Sequence, residues 1–191
     1  MSEFMTAFSA IEDSFNEKVR GFVESVQRSG LSWSNYELHE RVINQYGYDV
    51  RSLYLQYEPD LMAMLRSGSS EDRRVSLKVA RDGLLDLSCS DSFVEELINI
   101  SIDGNEEEML LARDILASRG WASGRDELVG KIVSGFCNDG VDYYTYKNVG
   151  EFLCVVGGKR LLEAHIKLGE GSQDEDIVEL ANDLSLHFFR G

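Results

Sequence analysis

The sequence predicts an all-α protein whose helices pair and stack into a solenoid. Three observations predict it. The chain of 191 residues contains a single proline, Pro59, whereas an all-β chain uses Gly and Pro turns at short spacing. Apolar residues recur at gaps of three and four along most of the chain, which is the period of an amphipathic helix. Small residues recur about every 30–40 positions, which is the period of helical repeat proteins.

The first helix is predicted over residues 3–28. Its apolar stripe has gaps of three or four residues and comprises Phe4, Phe8, Ile11, Phe15, Val19, Phe22 and Val26. Ser29 and Gly30 follow the stripe and end the helix. These features predict one long helix that buries a single face.

Three shorter elements are predicted between this helix and residue 68. The capping-box pattern from Ser34 to Glu37 opens a second helix through Tyr46, with Gly47 as its stop. A third helix is predicted over residues 50–58. Pro59 then begins a turn that continues to Gly68, because proline suits the first helical position. Residues 1–68 are predicted to form an N-terminal helical cap.

The remaining residues, 69–191, predict seven helices separated by Gly, Ser, Asn and Asp. Their predicted ranges are 69–88, 90–104, 105–120, 123–136, 142–158, 159–169 and 172–189. Cap and repeats together are predicted to form a single domain over residues 1–191, a length that supports one hydrophobic core.

The evidence for repeats is an echo between "KVARDGLLDLS" and "LLARDILASRG". It aligns small residues in alternate helices at spacings of 32, 38 and 31, namely Ala80, Ala112, Gly150 and Ala181. A small residue lets two helices approach to the short end of the usual axial distance of about 8–10 Å. We therefore expect these four positions to lie at contacts between helices.

The stretch "EDRRVSLKVARDGLLDLS" resembles the helices of HEAT-type repeat proteins. It has their acidic opening, an arginine, and Val-x-x-x-Val-Ala followed by aliphatic residues, but it lacks the proline often found near the start of such helices. The resemblance covers about residues 69–191. It implies a right-handed α-solenoid of HEAT-like helix pairs, about three and a half units long, behind the N-terminal cap.

The formal net charge of −15 limits the classes of partner. Phosphate backbones and anionic membrane surfaces repel such a chain, so we expect neither nucleic acid nor membrane as a partner. A basic protein is favoured, because opposite charge speeds association. The N-terminus carries acids where a signal peptide carries lysines, and no apolar run approaches the roughly 18 residues of a membrane span. A cytoplasmic location is therefore expected.

The motif search predicts neither an enzyme nor a metal or cofactor site. His39 and Glu40 could begin a zinc-protease motif, but Ile43 stands where its second histidine belongs. The phosphate-loop-like "GGKR" at 157–160 has Leu153 in place of the first glycine and no Ser or Thr after its lysine. We interpret it as a helix end followed by a new helix.

The sequence does not decide whether a cysteine and a histidine pair across the fold. The odd number of cysteines, without a CxxC pair, predicts reduced thiols in a reducing compartment, and the three are Cys89, Cys137 and Cys154. His39, His165 and His187 have no partner nearby in the sequence. Pairing of Cys with His across the fold stays possible.

The candidate partner-binding residues are acids that recur about every 34 residues and a tyrosine group beside them. The acids are Glu71, Asp72, Glu106, Glu107, Glu108, Asp139, Asp142, Asp174, Glu175 and Asp176. The tyrosines are Tyr143, Tyr144 and Tyr146, which cannot all face one core because successive helical residues turn by about 100°. If the units stack, the acids form one strip. Alternatively, the acids offset helix dipoles and the tyrosines pack against a helix.

These observations support three hypotheses for function. The first is an acidic protein–protein interaction module that binds a basic partner. Small acidic chains without a catalytic motif resemble bacterial immunity proteins, and this resemblance implies neutralisation of a basic toxin. The second is an adaptor or scaffold that binds a peptide or helix in an apolar groove. The third is an enzyme whose site is assembled from distant residues. The sequence leaves the oligomeric state open.

Overall fold

The protein is all-α, as predicted. The computed structural model describes residues 2–30, 32–84, 89–138 and 140–189, and these residues form ten helices and no strand. Contacts between Cα atoms divide the chain into two compact units, unit 1 from Met1 to Leu87 and unit 2 from Ser88 to Gly191. The single domain with a cap ending at residue 68 stays a prediction.

Unit 1 contains four helices, α1 (Glu3–Ser29), α2 (Trp33–Tyr57), α3 (Leu61–Leu65) and α4 (Ser70–Asp82). Helices α1 and α2 form an antiparallel hairpin. Ring contacts between the helices pair rising residue numbers on α1 with falling residue numbers on α2. The pairs are Phe4–Tyr57, Phe15–Tyr46 and Phe22–His39. The predicted stripe of α1 therefore packs on α2, and its most buried residues are at the N-terminal end.

The predicted end of a helix at Gly47 is wrong. Helix α2 continues through Gly47 to Tyr57, because buried residues stand on both sides of the glycine, Tyr46 before it and Val50 after it. Their burial outweighs the roughly 1 kcal/mol that glycine costs inside a helix. The cap also lies two residues before the predicted one, since the Ser32 hydroxyl accepts from the backbone N–H of Asn35.

Helix α4 is shorter than predicted. It ends at Asp82, with Gly83 as its C-cap, and residues 85–88 of the predicted helix lie outside the described residues. A Cβ atom at Gly83 would meet Val50 Cγ1 at 3.2 Å, so α2 and α4 approach closely at this point. Ala80 is fully buried, as its predicted role at a helix contact requires.

Unit 2 contains six helices, α5 (Asp91–Asp103), α6 (Glu106–Arg119), α7 (Asp126–Phe136), α8 (Tyr143–Val156), α9 (Lys159–Glu170) and α10 (Glu175–Phe189). Helix α8 packs against α5, α6, α7, α9 and α10 and forms the centre of the unit. The small residues Ala112 and Ala181 are fully buried. A Cβ at Gly150 would lie 3.1 Å from Leu184 Cδ1 on α10. The arrangement is compatible with a helical repeat fold.

A buried arginine links three helices of unit 2. The Nε of Arg113 donates to the Ser101 carbonyl at 2.9 Å, and its terminal nitrogens donate to Glu151 Oε2 at 2.7 Å and the Asn148 carbonyl at 3.2 Å. The Asn148 amide donates in turn to the Ile102 carbonyl at 2.9 Å. The guanidinium is satisfied by hydrogen bonds, as a buried charge requires, and it holds α5, α6 and α8 together.

No described helix combines the length and the apolar character that a membrane span requires.

We predict that Gly169→Ala destabilises the protein by about 1–3 kcal/mol or more, through overpacking. The added Cβ would lie 2.5 Å from Tyr146 Cζ, would contact Tyr146 Oη more closely still, and would lie 2.8 Å from Ala181 Cβ. The measurement is urea unfolding followed by circular dichroism.

Gly135→Ala is the matched control for this substitution. It also lies in a helix, but a Cβ there would meet nothing within 4 Å. Its expected effect is a stabilisation of about 0.5–1 kcal/mol, because alanine is the better helix former. Equal stability of Gly169→Ala and wild type would contradict the close packing.

Candidate functional site

Unit 2 contains an open pocket of about 640 Å³ between the loop that precedes α8 and the loop that precedes α10. Its polar lining includes Asp142 and Asp174. Its apolar lining comprises Val141, Tyr146, Leu168 and Ile177, of which only Val141 and Leu168 present accessible surface. Tyr146 and Ile177 belong to the buried core, so the apolar lining rests on rigid packing.

Asp142 is placed at the pocket by its role as the N-cap of α8. Its Oδ1 accepts from the backbone N–H groups of Tyr144 and Thr145 at 2.9 and 3.1 Å, and its Oδ2 accepts from the Thr145 hydroxyl at 2.6 Å. The Thr145 hydroxyl is the main cause of a lowered pKa of this carboxyl, followed by the backbone hydrogen bonds. These hydrogen bonds favour the ionised carboxylate over its protonated form.

Asp174 occupies the equivalent place before α10. Its Oδ1 accepts from the backbone N–H of Asp176 at 3.0 Å, and its own N–H donates to the Ser172 hydroxyl at 3.1 Å. Glu175 and Asp176 follow in the first turn and are exposed. One acid from each of two predicted clusters, Asp142 and Asp174, thus lines the same pocket.

The residues of the third acid cluster of unit 2 differ in their exposure. Glu106 and Glu107 are exposed in the first turn of α6. Glu108 is 1% exposed, and it forms a capping box with Asn105 in which each side chain accepts from the other residue's backbone N–H. A partner that docks on the folded chain would not reach Glu108. The contacts of Glu108 are therefore those of a residue that stabilises the start of a helix, which is the alternative to partner binding given above.

The described residues do not test the predicted strip across all four clusters. Glu71 and Asp72 belong to unit 1, where Asp72 accepts from the Ser67 hydroxyl at 2.8 Å. Asp139 lies outside the described residues. The continuous strip stays a prediction.

The three tyrosines differ in their exposure, as their spacing along the helix requires. Tyr144 is 74% exposed beside Asp142, and Tyr143 is half-buried with its ring edge-on to that of Tyr144. Tyr146 is fully buried and packs with Ile177 and Ala181. The prediction that Tyr146 contacts a partner is not supported by its position, because its side chain has no exposed surface. Its hydroxyl and ring are enclosed by α9 and α10.

Tyr146, His165 and Cys137 form a buried cluster. The sequence analysis left open whether a cysteine and a histidine meet across the fold, and Cys137 and His165 do. The Tyr146 hydroxyl donates to the His165 carbonyl at 3.1 Å, and His165 Nε2 lies 3.0 Å from the Tyr146 carbonyl. A carbonyl oxygen can only accept, so Nε2 carries the proton. His165 Nδ1 then accepts from the Cys137 thiol, whose sulfur is 3.6 Å away.

The electrostatics of this cluster are the reverse of those in a nucleophilic Cys–His pair. Burial lowers the pKa of His165 to about 4 and raises that of the Cys137 thiol to about 11. Both groups are therefore neutral near pH 7, whereas a reactive cysteine needs a thiolate beside a cation. The two rings of Tyr146 and His165 stack at 4.0 Å. The cluster joins α8 to α9 by packing and hydrogen bonds.

Among the described residues, no group of three or more His, Cys, Asp or Glu side chains could hold a metal ion. The fold and pocket define an all-helical protein with an acid-lined, partly apolar recess. No family model matches the chain, and no curated protein or solved structure matches it either.

We predict that stability falls between about pH 6.5 and pH 4 partly through His165. Its pKa in the fold, about 4, lies below the unfolded value of about 6.5, so protonation favours the unfolded chain. The contribution is complete above pH 6.5 and is lost as the pH falls toward 4, with a slope of up to about 1.4 kcal/mol per pH unit.

Urea unfolding at a series of pH values measures this contribution. His165→Gln is expected to lower stability at pH 7.5 and to make the profile shallower in this window. His187→Gln removes an exposed histidine and is expected to keep the wild-type slope. Parallel profiles for wild type and His165→Gln would contradict the assignment.

Proposed function

We propose that the protein is an acidic interaction module whose unit 2 binds a basic side chain of a protein partner. One observation carries the proposal: Asp142 and Asp174 line the same pocket, together with apolar residues that include Val141 and Leu168. A lysine or arginine has the matching chemistry, an apolar stem for the apolar lining and a cationic head for the acids.

The charge of unit 2 supports this choice of ligand. Residues 88–191 carry 20 acidic and nine basic side chains, a net charge of −11 out of −15 for the chain. Glu175 and Asp176 add exposed negative charge beside Asp174. Such a surface attracts a basic partner over long range and raises its association rate, an effect that salt weakens.

Tyr144 supplies an anchor next to Asp142. It is largely exposed, and it follows Asp142 by two residues in the first turn of α8. Tyrosine is enriched at energetically important interface positions, because it brings a large apolar area and a hydroxyl with few rotatable bonds. The expected binding surface therefore consists of the pocket, its acidic lining and this tyrosine.

The more specific form of the proposal is a cytoplasmic immunity protein that neutralises a basic toxin by covering the toxin's own ligand-binding side chains. It rests on the acidic charge and on the HEAT-like repeats, for which a right-handed solenoid of helix pairs is proposed. The burial of Ala80, Ala112 and Ala181 supports the repeat. The neutral Cys137–His165 pair favours binding without a chemical step.

We predict that the double substitution Asp142→Asn and Asp174→Asn weakens binding of a labelled tetra-arginine peptide at least tenfold at 20 mM NaCl, equivalent to about 1.4 kcal/mol. Asparagine can keep the capping hydrogen bonds from the backbone N–H groups through its Oδ1 and removes the charge. At position 142 it also replaces the oxygen that accepts from the Thr145 hydroxyl by an NH2 group. Fluorescence anisotropy measures the affinity. A peptide with citrulline in place of each arginine keeps the shape without the charge and is expected to bind weakly.

The control removes charge elsewhere in unit 2. Glu163→Gln with Asp183→Asn changes two exposed acids outside the pocket and is expected to keep at least half of the wild-type affinity. Equal loss in both double variants would show that net charge alone attracts the peptide and would contradict the pocket. A peptide affinity that does not change with salt concentration would instead favour the hypothesis of an adaptor with an apolar groove.

A further inference from the structure

The strongest feature outside unit 2 is an exposed apolar surface on the α1–α2 hairpin. Trp33 and Tyr36 are 73% and 51% exposed, and their rings stack at 5.6 Å. Ile43 on the same helix and Val23 on α1 are 42% and 44% exposed. We call this set, together with the half-buried Val19, the hairpin face.

The hairpin face continues a side of the hairpin that α4 covers nearer its base. Glu12 on α1 forms ion pairs with Arg74 and Lys78 of α4. On α2, a Cβ at Gly47 would lie 3.6 Å from the Asp82 carbonyl at the end of α4. Glu12 and Gly47 therefore mark the rows of α1 and α2 that face α4.

Following these rows away from α4 leads to the hairpin face. Steps of three or four residues from Glu12 reach Asn16, Val19 and Val23, and steps back from Gly47 reach Ile43, Glu40 and Tyr36. Helix α4 has 13 residues and is about 20 Å long, whereas the 27 residues of α1 extend about 40 Å. Helix α4 is therefore too short to cover both ends of this side.

The charge of this half of the hairpin differs from that of the rest of the chain. Residues 16–45 carry four acidic side chains, Glu17, Glu24, Glu37 and Glu40, and four basic ones, Lys18, Arg20, Arg28 and Arg41. Their net charge is zero in a chain of −15. This segment therefore adds no net charge repulsion at a contact between two copies, although each whole chain carries −15.

We propose that the hairpin face binds the same face of a second copy, so that two hairpins form a four-helix bundle about a two-fold axis. The uncovered half is about 20 Å long and two helices wide, so that two copies bury roughly 1,000 Å² together. This area is at the lower limit of specific interfaces. The dimer is therefore expected to dissociate in the micromolar range.

Sedimentation equilibrium of the full chain from about 1 to 200 µM tests the proposal in the concentration range of a weak dimer. Wild type is expected to show a monomer–dimer equilibrium. Ile43→Glu is expected to raise the dissociation constant at least tenfold, because it replaces an apolar contact by a second carboxylate in the row that already contains the exposed Glu40. Circular dichroism of the same samples shows that the variant is folded.

Leu38→Glu is the matched control. Leu38 lies on α2, is 48% exposed, and points about 140° away from Ile43 around the helix axis. It is expected to leave the dissociation constant within twofold of wild type. A monomeric wild type at every concentration, or equal effects of the two substitutions, would overturn the proposal.

Two further readouts separate this dimer from association through the acidic surface of unit 2. The dissociation constant is expected to change less than threefold between 20 and 500 mM NaCl, and a strong salt dependence would overturn the proposal. In Trp121→Phe, Trp33 is the one remaining tryptophan, and its emission is expected to shift to the blue with the midpoint of dimerisation. Constant emission across this range would count against burial of the hairpin face.

Discussion

The close contact of α8, α9 and α10 around Gly169 is the constraint on which the pocket depends. Gly169 has no Cβ, and this lets the Tyr146 ring and Ala181 occupy the space where a side chain would stand. Tyr146 and His165 then exchange hydrogen bonds between α8 and α9. Because these polar groups are satisfied and neutral, they can be buried at little cost, and they fix the apolar lining of the pocket.

The acids that line the pocket have a local role as well as a proposed external one. Asp142 and Asp174 accept hydrogen bonds from backbone N–H groups at the starts of α8 and α10, which are otherwise unsatisfied. The two helix starts lie at one pocket, so the capping charges add at one place. Glu108 has a different position and outcome: it is the third residue of α6, it accepts from the backbone N–H of Asn105, and it is buried.

The two units present surfaces of different chemistry. Unit 2 carries most of the negative charge of the chain, and this charge is the basis of the proposed basic partner and of its expected salt dependence. The hairpin face of unit 1 is apolar and lies in a segment without net charge, which suits contact with an identical surface. The two proposals therefore assign self-association and binding of a basic protein to different units, each with its own expected dependence on ionic strength.

Local physical chemistry determined most of the helices from the sequence alone. The apolar periodicity and capping residues predicted α5, α6, α8 and α9 to within one or two residues, because these signals act within a single turn. The buried small residues also followed from their spacing. Only the tertiary structure decided that Gly47 stays helical, that Tyr146 and Glu108 are buried, and that Cys137 meets His165. These outcomes depend on contacts between residues far apart in the chain, and burial at such contacts outweighs local preference.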